Sequence, residues 1–478
     1  MTTVEEQPIA TTPAPVAENN LGGYVREYFA KVRGGDVGAL PAVGGLVVAC
    51  IIFGISSSSF FTDRNFANLF QQGAQVTIIA MGLVFVLLLG EIDLSAGFTS
   101  GVCATVMAVL LTQHGWPWYW SILAAIAVGL VIGVVLGTLV AKVGIPSFVV
   151  TLAAFLGLQG VQLLFLSGGT AITIHNQTII KINSSSMSVW AGWTLFALCV
   201  VIYAGTQLLR AQGRRRRGLI PQPWTVTAAK VFAIVVIGGL ATFALNSERS
   251  PNPLVISLKG VPIIVPIILI LLVVLTFILS RTAYGRHMYA IGGNAEAARR
   301  AGIRVDRLRI SAFMFCSTLA AIAGVVAASR NSGVDSNLGG SNTLLYGVGA
   351  AVIGGTSLFG GKGRVIDAVI GGALIAVIDN GMGLLGFDTD RKYIVTGIVL
   401  LIAAGPPPDV RKSQVHARRP EPGGNPSTEP RCSVAAGSRA RRAVPGGTHH
   451  RTGPQPIHDR RPDHRPGRRR PGAGGAAE

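Results

Sequence analysis

Charge is scarce in this chain of 478 residues: Asp, Glu, Lys and Arg together make 13% of it, and only 22 residues are acidic. Cysteine is scarcer still. There are five, far apart, and four of them (Cys50, Cys103, Cys199 and Cys316) sit within apolar runs, which excludes a disulfide framework and any metal-binding spacing. They read as small buried hydrophobes. Eight histidines offer no catalytic set either, since His114, His175 and His287 are scattered and the other five crowd the stretch 405–478. The stretch 1–38 lacks the charged start, apolar middle and small-residue site of a cleavable signal peptide. What is abundant is apolar: half of the residues are hydrophobic and mean hydropathy is +0.51. With uninterrupted apolar stretches of membrane-crossing length, this composition means an all-α, polytopic helical membrane protein.

Apolar runs bounded by polar turns give twelve span candidates, near 39–56, 71–90, 94–112, 119–140, 148–167, 191–209, 229–246, 261–280, 310–328, 344–360, 364–381 and 392–404. Ten to twelve transmembrane helices are therefore expected. Only Glu91-Ile92-Asp93 separates the second from the third, so one of that pair is a candidate for a broken or re-entrant span, and the glycine-rich tenth for an irregular one. Positive charge sets the orientation. With the N-terminus inside, 19 of the 26 Lys/Arg of residues 1–404 fall on the cytoplasmic side, among them Arg214–Arg217 and seven arginines between 281 and 309. The run Arg214–Arg217 is expected to touch lipid headgroups. Trp116, Trp118, Tyr119 and Trp120 read as an interfacial anchor.

Both termini differ from this core. Residues 1–38 are polar and are expected to be a largely disordered cytoplasmic segment. Residues 405–478 hold 15 Lys/Arg, 6 Asp/Glu and 13 of the 25 prolines, with no apolar periodicity, so a disordered basic tail is expected. The last apolar run, Tyr393–Ala404, spans about 12 residues where a crossing needs about 20, and it breaks off into GPPPDVRKSQ. Sequence rich in Arg, Pro, Gly, Ala and His is what an out-of-frame reading of GC-rich coding DNA yields. A frameshift near residue 404 is the expectation, and no function is given to the tail; an intact frame on resequencing the junction would sink it.

Between the runs 261–280 and 310–328 lies Tyr284–Gly302, YGRHMYAIGGNAEAARRAG. It spells a very short helix. Asn294 can cap it, Glu296 lies in its first turn, Arg299 and Arg300 in its last, and Gly302 supplies a stop. Ala295–Ala301 makes about 10 Å of helix, too short to be stable alone in water, so something must hold it. Elsewhere, Gly90-Glu91-Ile92-Asp93-Leu94-Ser95-Ala96-Gly97 sets two acids within a long apolar stretch, where ionisable groups face a cavity or a partner. Asp93 or Ser95 can instead cap the helix that follows. The glycines of Gly354–Gly363 (GGTSLFGGKG) suggest a phosphate loop, but the Gly-x-x-x-x-Gly-Lys-Ser/Thr spacing is missing, so the chain does not hydrolyse ATP itself and the stretch reads as a tight turn with close helix packing.

Several of these motifs resemble one family. GEIDLSAG is similar to the GGIDLS-type motif of ATP-binding-cassette (ABC) sugar-importer permeases of the ribose/xylose class, with Glu91 where many ribose-type members have glycine. YAIGGNAEAARRAGIRV resembles their cytoplasmic coupling segment. VIGGTSLFGGKG (352–363), VIDNGMGLLG (377–386) and IPSFVVTL (145–152) resemble further signatures in the same order. The resemblance covers about residues 40–404. Residues 168–260 depart from the ribose-type pattern by two added spans, at 191–209 and 229–246, and there the chain is closer to xylose-type permeases.

The resemblance implies a transmembrane permease domain at 39–404 that forms the membrane pathway for a pentose, with xylose favoured and ribose, galactose or another small solute as rivals. It implies a homodimer of permeases in a bacterial plasma membrane, an extracytoplasmic sugar-binding protein and separate ABC ATPase subunits that bind the ATP. No cofactor, catalytic residue or metal is expected in this chain, and no nucleic-acid partner, only membrane lipid. Carried over by motif, Gly292, Gly293, Asn294, Glu296, Ala297, Arg299, Arg300, Ala301 and Gly302 form the coupling segment. Candidates for the translocation pathway are Glu91, Asp93, Ser95, Thr151, Gln159 and Asn380, with Gln162 and Asp379 beside them; packing or capping explains each equally well. An autonomous secondary transporter would show two similar six-span halves with intramembrane charge pairs, and no such repeat is visible. A membrane-embedded lipid enzyme lacks a catalytic cluster.

Overall fold

The computed structural model describes residues 39–167, 170–218, 224–250 and 257–403, the last five by backbone alone. The segment 1–38, the tail 405–478 and the proposed frame junction lie outside these residues. Within them the chain is helical, and all twelve apolar runs become helices: α1 (Leu40–Ser56), α2 (Asp63–Leu88), α3 (Ala96–Thr112), α4 (Trp118–Thr138), α5 (Ser147–Phe165), α7 (Val189–Arg216), α8 (Trp224–Asn246), α9 (Ile264–Arg281), α12 (Val305–Asn331), α13 (Ser341–Ile353), α14 (Val365–Leu384) and α15 (Thr389–Ala403). Among the described residues, eight helices are long and apolar enough to cross a membrane, and α1, α3 and α13 are shorter apolar helices. Three short α-helices complete the set: α6 (Gln177–Ser184), α10 (Ala283–Gly293) and α11 (Ala295–Arg300). One small antiparallel pair, β1 (Ile172–Thr173) with β2 (Gly333–Val334), ties two loops at one end of the bundle.

Where boundaries differ from the apolar runs, polar side chains explain the difference. The second helix starts at Asp63 rather than near 71, because Thr62 accepts a hydrogen bond from the Asn65 N–H and Asp63 sits in the first turn, so the polar stretch before the apolar run is helical too. The sixth run extends from 209 to Arg216, since arginines are good helix formers and favour the negative C-terminal end. The tenth stops at Ile353, and Gly354–Gly363 forms a loop instead of a last helical turn. The break after the second run is a short connection, 89–95, leading into α3.

At the centre lie α2, α12 and α14, whose side chains face other helices on nearly all sides. Phe85 and Phe315 stack with ring centroids 4.8 Å apart across α2 and α12. A repeated close approach joins α4 and α12. Gly129, Gly133 and Gly137 recur every fourth residue on α4, and a Cβ at each would stand 2.6–2.7 Å from Ser317–Ala321, Phe313–Met314 and Ile310 in turn. Without hydrophobic drive between helices in lipid, such small-residue stripes let backbones pack by dispersion alone. By contrast, α7 and α8 present apolar side chains outward along most of their length. Gly192 is the buried residue of α7, and Val226, Thr242, Leu245 and Asn246 are the buried residues of α8, Leu245 packing with Ala67 and Val261.

Candidate functional site

Two structures meet at one end of the bundle: the α9–α12 connection and the loop between α2 and α3. The connection starts at Thr282, which is extended, donates its hydroxyl to the Ile278 carbonyl (2.6 Å) and accepts from the Gly285 N–H (3.3 Å). One residue thus separates α9 from α10. Helix α10 buries Gly285, Met288 and Ile291, a three-residue spacing that gives it one inward face. Its tyrosines pin it sideways. The Tyr284 hydroxyl pairs with that of Ser311 on α12 (2.9 Å), and the Tyr289 hydroxyl donates to the Gly363 carbonyl (2.7 Å).

Asn294 then caps α11, its Oδ1 accepting from the Ala297 N–H at 2.9 Å. The helix runs Ala295–Arg300, one residue shorter than expected, and Gly302 leaves it with φ +83°, a left-handed stop. Glu296 pairs with Arg300 (3.2 Å) and Arg299 with Asp306 at the start of α12 (3.4 Å). Both pairs are exposed and contribute little each. Ala298 is the buried side of the helix, at 5% exposure. So the helix that cannot stand alone is held partly by its own chain, through a cap, one buried alanine and the turn into α12.

Of the residues assigned to coupling, Gly293, Asn294, Glu296, Ala297, Arg299, Arg300, Ala301 and Gly302 are exposed. Gly292 differs: it is half-buried, where any side chain would collide with the Leu88 carbonyl and with Gly361. The Gly361 N–H donates to that same Leu88 carbonyl (2.9 Å). The end of α2, the Gly354–Gly363 loop and the end of α10, just before α11, therefore share one close-packed junction. Sequence reasoning missed α10 and this junction. The Gly285, Met288, Ile291 spacing was the available signal, hidden because the stretch reads as a basic connection.

The α2–α3 loop lies beside the junction. Glu91 pairs with Arg309 of α12 at 3.0 Å, with both side chains largely shielded. Asp93 and Ser95 are fully buried; Asp93 Oδ1 accepts from the Ser95 N–H (2.9 Å) and hydroxyl (2.6 Å), shaping the turn that opens α3. Thr151 on α5 donates to Ser147 (2.9 Å) and Ile92 (3.2 Å) carbonyls, clamping the loop from the other side. These four residues are thus brought together.

The remaining pathway candidates lie elsewhere. Gln159 is half-buried midway along α5. Gln162 is buried and donates to the Asp335 (2.9 Å) and Leu338 (3.1 Å) carbonyls. Asn380 of α14 exchanges amide hydrogen bonds with Asn65 of α2, both 2.9 Å, and donates to Gln72 (3.0 Å). Asp379 is half-buried beside it. The candidates accordingly form a clamp at the end of α2, a pin near the far end of α5 and an α2–α14 tie. Among the described residues no cluster of His, Cys, Asp or Glu could hold a metal ion, and the four cysteines there are free thiols.

Residues 65–404 match the family model described as branched-chain amino acid transport system / permease component. The chain is 36% identical over 361 residues to the xylose transport system permease protein XylH of Escherichia coli strain K12, covering 75% of this chain and 88% of that protein. It is 29% identical over 382 residues to the ribose import permease protein RbsC of the same strain, covering 79% and 95%. The probable ABC transporter permease protein y4mJ of Sinorhizobium fredii is 29% identical over 368 residues, covering 76% and 87%. No solved structure matches the chain.

Proposed function

We infer, for a chain that belongs to the branched-chain amino acid transport system / permease component family, that it is the membrane-spanning subunit of an ABC importer for a pentose. Xylose is the favoured solute. The observation that carries this is the similarity to a xylose permease along nearly that protein's whole length, which includes the peripheral α7–α8 hairpin region. Ribose is the second reading, supported by the lower identity to a ribose permease over a similar stretch.

In this reading the chain sits in a bacterial plasma membrane with its N-terminus in the cytoplasm, as the distribution of Lys and Arg favours. A second copy completes the pathway. An extracytoplasmic sugar-binding protein delivers the solute, and separate ATPase subunits bind the ATP, so the chain carries no catalytic residue of its own. The exposed side of α11 docks on the ATPase. Its small residues allow close approach, and Glu296, Arg299 and Arg300 give it charges to match. The glycine junction behind Gly292 passes a push on α11 to the end of α2 and the Gly354–Gly363 loop, because a close-packed contact has no slack to absorb it. Glu91, Asp93, Ser95 and Thr151 stand where that push arrives and frame the pathway there. Gln159 and Asn380 remain its candidates deeper in the bundle, Asn380 through the geometry of α2 and α14 rather than by reaching solute.

The test is uptake. Proteoliposomes holding this chain with its ATPase and binding protein should accumulate labelled xylose only with ATP, and excess ribose should compete weakly. Uptake that persists without the ATPase would overturn the importer reading. Equal competition by ribose would move the solute assignment.

A further inference from the structure

A basic cavity opens between the last turns of α7, the first turns of α8 and the end of α9, with a volume of about 780 Å³. Arg210, Arg214, Arg217, Lys230 and Arg281 line it, with Thr227, and among the described residues no acidic one does. None of the four arginines pairs with a carboxylate among the described residues. A general excess of cytoplasmic cations would be met by any placement of them on that side. Here the placement is selective. Arg210 and Arg214 stand four residues apart on one face of α7, Arg217 follows its last turn, and all three line the cavity, whereas Arg215 and Arg216 do not.

The rim is apolar. Leu209, which lines the cavity on α7, is 70% exposed, and its helix and α8 both turn apolar side chains outward. A soluble anion would use the cations and leave this rim unused. A molecule with an anionic head and acyl chains uses both. We propose that this cavity binds the phosphate headgroup of an anionic phospholipid, whose chains run along the outer faces of α7 and α8. The bound lipid fastens the peripheral hairpin to α9 through Arg281. That residue is the last of α9 and is followed by Thr282 and α10, so the lipid sits at the root of the segment assigned to coupling. The site does not depend on which solute is carried.

The experiment is native mass spectrometry of the full chain released from nanodiscs of phosphatidylcholine containing one-fifth phosphatidylglycerol or cardiolipin. The wild type is expected to retain anionic lipid over phosphatidylcholine, and less so as salt rises. Arg210→Gln/Arg214→Gln/Arg217→Gln should lose that retention roughly tenfold or more. Lys142→Gln/Arg304→Gln/Arg307→Gln removes the same charge from the same end of the bundle and should retain it. Because stripping α7 can disturb insertion, Arg281→Gln alone, checked for a monodisperse elution profile, is expected to lower retention by roughly twofold to fivefold. Millimolar inorganic phosphate should not displace the lipid. Equal losses in the cavity and control variants would overturn the proposal, as would unchanged retention in Arg281→Gln. Displacement by phosphate would identify a soluble-anion site instead and equally overturn it.

Discussion

Helices α4 and α7 look alike as strings of apolar residues, yet they do opposite work. Each exceeds the length needed to cross a membrane. On α4 the glycines at 129, 133 and 137 lie flat against α12, and a Cβ on any of them would meet backbone or a neighbour's side chain below 3 Å. On α7, Gly205 and Gly213 have nothing within 4 Å of an added Cβ. Hydropathy measures how willingly a helix leaves water. It does not say whether lipid or protein receives it, and in a bilayer those two surroundings are similarly apolar. What separates the regions is the spacing of small residues. The core is fitted by close backbone approach, and the hairpin is attached at its ends.

The largest effect should come from adding a side chain to the core stripe. Gly133→Leu would drive into the Phe313 carbonyl and Met314 backbone and should cost about 3 kcal/mol or more, seen as lost monodisperse protein in detergent. Gly205→Leu on α7 should change the melting temperature little, within the roughly 0.5 kcal/mol typical of surface sites. If both variants behave alike, the division into fitted core and loosely attached hairpin fails.

A middle-sized effect is expected where α2 meets α12. Glu91→Gln leaves Arg309 shielded beside an uncharged partner and should destabilise by about 1–3 kcal/mol in thermal melts. A loss no larger than that of an exposed pair would place this ion pair in solvent.

The smallest effect concerns how the hairpin is attached at its other end. Glu248, just after α8, accepts hydrogen bonds from the Ser257 hydroxyl and the Leu258 and Ser250 N–H groups and lies near Lys259. The Ser257 hydrogen bond leads these causes in holding its carboxyl down at about 2. A carboxylate whose folded pKa is depressed adds stability above its unfolded value, near 4.3, and loses it as pH falls toward 2. Wild type should therefore melt slightly above Glu248→Gln at pH 7, with the gap closing between about pH 4 and pH 2. A gap that is constant with pH would remove the charge from the explanation.

The helices were readable because a crossing of lipid demands a continuous apolar run, and nothing else in the sequence has that length. Boundaries set by polar residues were not. The two extra turns of α2 are made by Asp63–Phe70, which resemble a loop until Thr62 is seen to cap them. For the same reason α6 went unnoticed: its short, largely polar stretch, capped by Asn176, gives no apolar run. In the α9–α12 connection, the cap, the short helix and its stop followed from Asn294, Glu296, Arg300 and Gly302, since capping is local chemistry. The packing of Gly292 against Leu88 and Gly361 joins positions far apart in the chain, and local spacing carries no record of that.

In the proposed function, energy enters where α11 receives the push of a separate ATPase. Glu296→Arg with Arg299→Glu and Arg300→Glu reverses the exposed charges of the helix, keeps the Asn294 cap and leaves Ala298 in place. Uptake of labelled xylose and ATP hydrolysis should be followed together in one set of proteoliposomes holding permease, ATPase and binding protein. If α11 is the docking helix, membrane insertion stays normal, xylose uptake falls at least tenfold, and hydrolysis no longer rises when loaded binding protein is added. Uptake and stimulated hydrolysis equal to wild type would contradict it.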